Sequence, residues 1–205
     1  MSETAANRRE VILQKAAELF AAKGVAATTV REIADSVGLL SGSLYHHFES
    51  KDAIVDELLR SYLNDLLAGY ERVTAENVDP RTKLENLVQA SLEAVEAHPY
   101  ATEIYQNDYN LLAAQPRFKY LKSTGVEVQK TWIDVIRAGI NTGVFRADID
   151  PQILYRFMRD VVWQSVRWYR PALGLTLRQL ADDCTSLLLD GMATKPHVRG
   201  RSRVG

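Results

Sequence analysis

The stretch from Thr28 to Lys51, Thr-Thr-Val-Arg-Glu-Ile-Ala-Asp-Ser-Val-Gly-Leu-Leu-Ser-Gly-Ser-Leu-Tyr-His-His-Phe-Glu-Ser-Lys, constrains the fold more than any other in the chain. Thr29 is placed to cap a short helix whose apolar face is Val30, Ile33, Ala34 and Val37. Gly38 then permits the positive φ of a sharp turn. Ala34, four residues earlier, supplies the small side chain that two crossing helices need in order to approach. Ser41 or Ser43 opens a second helix, which buries Leu44 and Phe48 and turns Ser43, Tyr45, His46 and His47 to other sides. Those side chains can donate hydrogen bonds to phosphates or base edges. Ser50 caps a further helix with Lys51 in its first turn, where an ammonium and backbone amides can face one phosphate together. The order of these pieces predicts a helix-turn-helix over 29–48 that presents its second helix to a DNA major groove.

Each piece alone is ambiguous. Gly38 can end any helix, and His46-His47 can be a solvated pair. The histidines do not make a metal site, because neighbours on a helix point about 100° apart. No metal and no catalytic residue is expected.

The segment resembles the DNA-binding domain of the TetR family of bacterial repressors. The family's recognition helix typically ends Leu-Tyr-x-His/Tyr-Phe-x-x-Lys, and here Leu44, Tyr45, His46, His47, Phe48, Glu49, Ser50 and Lys51 stand in that order. Ala16-Ala17-Glu18-Leu19-Phe20 through Gly24, and Thr28-Thr29-Val30, are similar to the family's first helix and the start of its second. The resemblance implies that Ser41, Gly42 and Ser43 face bases and that His46 lies close to the groove. It also implies that Thr28, Tyr45, His47 and Lys51 hold phosphates, with Thr29 beside them at the helix start. The family often has a basic or larger polar residue where this chain has Ser41-Gly42-Ser43, which leaves the number of direct base contacts open.

Charge excludes one class of DNA binder. The 205 residues carry a formal net charge of −1, so a histone-like, purely electrostatic grip is excluded. Within the first 51 residues, Arg8, Arg9, Lys15, Lys23, Arg31 and Lys51 are balanced by Glu3, Glu10, Glu18, Glu32, Asp35 and Glu49. Affinity must come from a few placed charges, doubled by dimerisation, and non-specific binding should be weak and salt-sensitive. Cys184 is the only cysteine, so an intrachain disulfide or a thiolate cluster is impossible. The first ten residues lack the apolar core of a signal peptide. No run approaches the roughly 18 apolar residues of a membrane span. A cytoplasmic, DNA-associated protein with no membrane partner is expected.

Apolar periodicity is helical throughout. It predicts helices over 8–24, 29–37, 41–48, 51–74, 80–98, 100–113, 116–141 (weakened at Gly125), 151–170 and 176–192. That is an all-α, nine-helix chain: a three-helix head, 6–66, for DNA, and a body, 67–193, for ligand binding and dimerisation. The basic tail, 194–205, has no apolar periodicity and is expected to be disordered. Leu177, Leu180, Leu187, Leu188 and Met192 form a stripe suited to pairing with the 151–170 helix and its symmetry mates. Trp132 to Phe145, followed by Arg146 and Asp148-Ile-Asp-Pro151, also resembles a common passage of the family's body.

The 151–170 helix carries a second unusual feature. At 100° per residue, Arg156, Arg159, Trp163, Arg167 and Arg170 fall within about 80° of one another. Leu154, Phe157, Met158, Val161, Val162, Ser165 and Tyr169 take the other side and should meet the core. Three readings stay open: a solvated cationic face with arginine stacked on tryptophan, a dimer seam, or a wall for a ligand both anionic and apolar. Leu39 to Phe48 and Ser165-Val166-Arg167-Trp168-Tyr169-Arg170-Pro171 are similar to TetR-type repressors of steroid (cholesterol) ring catabolism in actinobacteria. That resemblance implies an acyl-CoA thioester as effector, with no bound cofactor. Arg159, Trp163 and Arg167 would serve it, and Tyr105, Tyr109, Phe118 and Trp132 are candidate pocket walls or ordinary core.

The expected function is therefore a homodimeric repressor, each head reading half of a palindromic operator and the body taking a small-molecule effector. A regulator, repressor or activator, of other lipid-metabolism or efflux genes fits the same residues. A helical-bundle enzyme acting on acyl-CoA fits poorly. No Glu is followed three residues later by His, as di-iron bundles need, and there is no nucleophile elbow.

Overall fold

The computed structural model describes residues 2–169, 174 and 176–192. These carry nine α-helices and no strand: α1 (Ser2–Lys23), α2 (Val30–Ser36), α3 (Ser41–Leu44), α4 (Lys51–Ala75), α5 (Pro80–Ala97), α6 (Pro99–Ala113), α7 (Tyr120–Asn141), α8 (Pro151–Gln164) and α9 (Leu177–Met192). Single 3-10 turns stand at Pro116–Phe118 and Ser165–Arg167. The tail at 194–205, with Arg170 and Pro171, lies outside the described residues.

Local chemistry sets most helix starts. Thr29 and Glu32 form a reciprocal capping box on α2, with the Glu32 N–H donating to Thr29 Oγ1 at 3.2 Å and the Thr29 N–H donating to Glu32 Oε2 at 2.8 Å. Asp79-Pro80 and Asp150-Pro151 repeat one device. The carboxylate caps α5 by accepting from the Arg81 and Thr82 amides, or α8 by accepting from Gln152, and the proline needs no partner at the first helical position. Ser50 caps α4 through the Ala53 amide at 3.1 Å.

Two expected features differ. α1 begins at Ser2 rather than near residue 8. α7 runs unbroken through Gly125, whose missing side chain leaves room beside the Tyr105 and Tyr109 hydroxyls.

The head is α1, α2, α3 and the start of α4. α4 then passes without a break into the body, across the expected 66/67 boundary. It is buried along Ile54, Val55, Leu59, Tyr62, Leu66 and Tyr70, and packs on α1, α5, α6 and α7. One apolar core joins head and body, from Phe20, Ile33 and Leu44 through Leu59 and Leu92 to Ile136 and Met158. Its buried hydroxyls at Ser91, Thr102 and Ser165 are paired, whereas the indole nitrogen of Trp132 has no hydrogen-bond partner. Ser91 donates to the Leu87 carbonyl at 2.7 Å, so the Tyr70 hydroxyl, 2.7 Å from Ser91 Oγ, is the donor of that bond.

Candidate functional site

The head presents a compact reading surface. Gly38, at φ +67°, turns the chain after α2, and its amide and that of Leu39 bond back to Asp35 and Ala34 at 3.2 and 2.9 Å. α3 continues as single turns through Phe48, with the His47 and Phe48 amides on the Leu44 carbonyl at 2.9 and 3.0 Å. Leu44 and Phe48 are buried and anchor the segment, as the spacing predicted. Gly42, Tyr45 and His46 are exposed and Ser41, Ser43 and His47 half-buried, so the expected base-facing residues share one accessible segment. α3 starts at Ser41 with Leu40 as its N-cap, and no side chain caps it.

Two expected phosphate ligands have other work. Thr28 is only 1% exposed, and its hydroxyl donates to the Gly24 carbonyl at 2.9 Å, so it offers nothing to a phosphate. Lys51 donates to the carbonyls of Val25 and Thr28 at 2.7 and 2.8 Å, committing two of its three ammonium hydrogens to the α1–α2 turn. Both residues fix where α2 and α4 meet. Thr29 stays exposed, but its hydroxyl belongs to the capping box. Sequence reasoning also missed the brace around the reading surface. Arg8 donates to the Val37 carbonyl at 2.9 Å, while Arg9 pairs with Glu57 and lies 4.4 Å above the Phe48 ring.

The body holds a cavity of about 480 Å³ between α6, α7 and α8. α6 contributes Tyr105, Gln106, Tyr109 and Asn110, and α7 contributes Lys122, Gly125, Val126 and Gln129. α8 adds Tyr155, Arg156, Arg159 and Trp163. The expected residues Tyr105, Tyr109, Arg159 and Trp163 are thus brought together. Tyr105 and Tyr109 meet edge to face at 5.3 Å. Burial, then the neighbouring Tyr109, raises the Tyr105 hydroxyl above its ordinary pKa, so it is a neutral donor. Burial likewise raises Tyr155, partly offset by the Arg159 charge.

The cavity's polar groups are incompletely paired. Trp163 Nε1 and Gln106 Oε1 are buried without a hydrogen-bond partner. The Gln106 amide nitrogen meanwhile donates to the Trp163 carbonyl at 2.6 Å, tying α6 to α8. Arg159 bonds Asp160 at 2.7 and 2.8 Å, whereas Arg156 and Lys122 have no ion-pair partner among the described residues. A second hollow of about 580 Å³ between α5 and α9 is lined by side chains that largely satisfy one another, Arg81 with Glu85 and Gln89 with Glu93.

Four expectations about the body need correction. Trp132 is buried against Tyr70 and Tyr155, at ring distances of 6.2 and 6.3 Å, and does not line the cavity; Phe118 is core too. Arg167 leaves the stripe because α8 ends at Gln164 and tightens into a 3-10 turn, and its guanidinium donates to Asn107 Oδ1 at 3.0 Å. Phe157 and Val161 are exposed, not core, and with Ile153 they form an outward row on α8. On α9 the exposed apolar residue is Leu187, while Leu180 is buried and Leu188 packs partly on the core; the side chain of Met192 lies outside the described residues.

α6 connects the two sites. Asp108, between cavity residues Gln106 and Tyr109, accepts the Val25 amide of the head at 3.1 Å. Just beyond α6, Arg117 pairs with Glu49, bonds Ser50 Oγ at 3.3 Å and lies 3.8 Å from Asp56. No described helix is long and apolar enough to cross a membrane.

Comparison with known proteins bears on both sites. Residues 12–58 match the model of bacterial regulatory proteins of the tetR family, and residues 77–192 match that of the tetracyclin repressor-like C-terminal domain. The HTH-type transcriptional repressor KstR2 of Rhodococcus jostii RHA1 is 47% identical over 190 residues, covering 93% of each chain. The structure of the ketosteroid transcriptional regulator KstR2 of Mycobacterium tuberculosis superposes with a TM-score of 0.87 at 46% identity, over 92% of this chain and 96% of that one. AibR, in complex with isovaleryl coenzyme A and operator DNA, superposes with a TM-score of 0.75 over 89% of this chain and 98% of its own, but at 19% identity it shows the fold alone.

Proposed function

The chain belongs to the tetR family of bacterial regulatory proteins, as a DNA-binding transcriptional repressor and not an enzyme, and from that premise we propose what it reads and what releases it. A homodimer places one head on each half of a near-palindromic operator, and a steroid-derived acyl-CoA entering the body loosens that grip. The genes controlled are those of steroid catabolism, in keeping with the relatives named KstR2 and the ketosteroid regulator among them.

The observation that carries the ligand reading is the unmet chemistry of one cavity. A buried donor on Trp163 and a buried acceptor on Gln106 stand unpaired beside Arg156, Arg159 and Lys122. An unpaired buried polar group costs about 1–3 kcal/mol, which a bound ligand can return. Guanidinium forks fit phosphate oxygens, the tyrosine faces fit fused rings, and about 480 Å³ lies within the usual range for small-molecule sites. A coenzyme A thioester of a ring-bearing acid combines both halves.

Dimerisation finds support in the exposed apolar row of Ile153, Phe157 and Val161 on α8 with Leu187 on α9. A partner subunit's copy of the same face would cover it across a two-fold axis. The route for release is α6, whose one side lines the cavity while Asp108 holds the Val25 amide.

The reading is tested by anisotropy of a labelled operator complex during titration with a steroid-derived acyl-CoA, free coenzyme A and the free acid. Release by the thioester at concentrations well below those of its two parts is expected. Equal potency of free coenzyme A would remove the ring subsite from the account.

A further inference from the structure

The loop entering α3 carries two choices that the head's own fold does not explain. Leu40 is 81% exposed, the most exposed of the large apolar side chains described. It also holds the N-cap position of α3, where Ser, Thr, Asp or Asn would satisfy a backbone amide and where Leu satisfies none. Gly42, two residues on, lies inside α3 with no positive φ, and a Cβ there would meet nothing within 4 Å. Glycine lowers helix stability, so a small side chain at this position would suit the free protein better. Both departures make sense only against something outside the chain.

They sit in the segment that carries Ser41, Ser43, Tyr45 and His46. Such a segment enters the major groove in a helix-turn-helix complex. The groove offers hydrogen-bonding edges and a single apolar group, the C5-methyl of thymine. We propose that Leu40 packs on a thymine C5-methyl in each operator half-site, and that Gly42 gives the backbone the clearance to bring Leu40 that deep. This rests on the operator-binding reading above. It also fits the small hydroxyls at Ser41 and Ser43, which leave apolar contact a larger share of base recognition than a basic residue would.

The test begins with operator duplexes selected from random sequence by the full chain, then replaces each thymine singly with deoxyuridine, which lacks only the methyl. For the wild type, one thymine per half-site should weaken binding about fourfold on replacement, the worth of one buried methyl. Leu40→Ser should bind the natural operator more weakly and be indifferent to deoxyuridine at that same position, while Leu40→Met keeps the discrimination. Thermal unfolding of Leu40→Ser, which gains a cap, should show a head at least as stable as the wild type. Gly42→Ala should also fold at least as well yet bind the operator more weakly. A scan with no sensitive thymine, or a Leu40→Ser chain with the wild-type pattern, overturns the proposal. Failure of the wild type to select any duplex would instead overturn the operator-binding reading itself.

Discussion

Asp108 Oδ2 accepts the backbone N–H of Val25 at 3.1 Å, joining residues 83 apart in sequence. The bond ties α6, which lines the body's cavity, to the turn that Lys51 and Thr28 also hold. On the proposed reading, a shift of α6 on ligand binding would reach the α1–α2 turn through this bond as well as through the packing of α6 on α1 and α4. A carboxylate acceptor makes this bond stronger than a neutral one.

Removing that bond should uncouple the sites. In Asp108→Ala, effector binding measured by calorimetry should stay within about threefold of wild type. The ratio of operator affinities with and without effector should fall by about fivefold or more, a coupling loss of at least ~1 kcal/mol. A ratio equal to wild type would move the relay to Arg117 and its partners Glu49 and Ser50.

Gly139 is a steric requirement. A Cβ on it would lie 2.1 Å from Phe145 Cδ2, and the Val144 and Phe145 amides both bond the Gly139 carbonyl at 2.9 and 3.0 Å. Gly139→Ala should lower stability by about 1–3 kcal/mol in urea unfolding, against the helix-propensity trend. Gly125→Ala, where a Cβ would meet the Tyr105 hydroxyl at 3.7 Å, should instead hold or raise stability.

The outward row on α8 and α9 predicts where assembly fails. Phe157, 67% exposed, and Leu187, 75% exposed, can take charge without disturbing the core of one subunit. Phe157→Asp or Leu187→Arg should give folded monomers by light scattering that lose specific operator binding. Leu188, half-buried on the core, is the wrong residue for this test because its loss also costs packing. A dimeric Phe157→Asp chain would place the interface elsewhere.

Glu32 should make α2 acid-sensitive. Its bond from Lys23, with the bonds from Thr29, holds its carboxyl down at about 2, against an ordinary 4.5. Its stabilising effect is therefore complete above pH 4.5 and disappears as pH falls through about 2. Glu32→Gln should melt below wild type at neutral pH, and the gap should close over that acid window. A gap constant with pH would mean that the carboxylate charge contributes nothing.

What could be read from sequence was local. The cap at Thr29, the helix starts at Pro80 and Pro151 and the turn at Gly38 all depend on neighbours within a few positions. The DNA head was legible for the same reason. Thr28 misled because a folded-back turn supplies its partner, and the same turn takes two of the three Lys51 ammonium hydrogens. Arg167 misled because a helical wheel assumes α geometry, which gives way after Gln164 where Ser165 Oγ caps back onto the Val162 carbonyl. Arg156 stood in the arginine stripe without being assigned to a ligand, and Tyr155 belongs to the cavity though nothing in the pattern marks it until α6 and α7 are in place. Asp108 carries no sequence signal, since its partner is a backbone amide 83 residues away.

The central claim is that effector binding in the α6–α7–α8 cavity releases DNA from the head. It is tested most directly by titrating one steroid-derived acyl-CoA into operator complexes of wild type, the double variant Arg156→Gln/Arg159→Gln, and Trp163→Phe, which removes the unpaired indole donor and keeps a smaller aromatic ring. All three should bind operator equally without ligand. The release midpoint should rise roughly tenfold or more for the arginine pair, and about threefold to tenfold for Trp163→Phe, the worth of charged and neutral hydrogen bonds. Midpoints unchanged in both variants would contradict the account and place the effector outside this cavity.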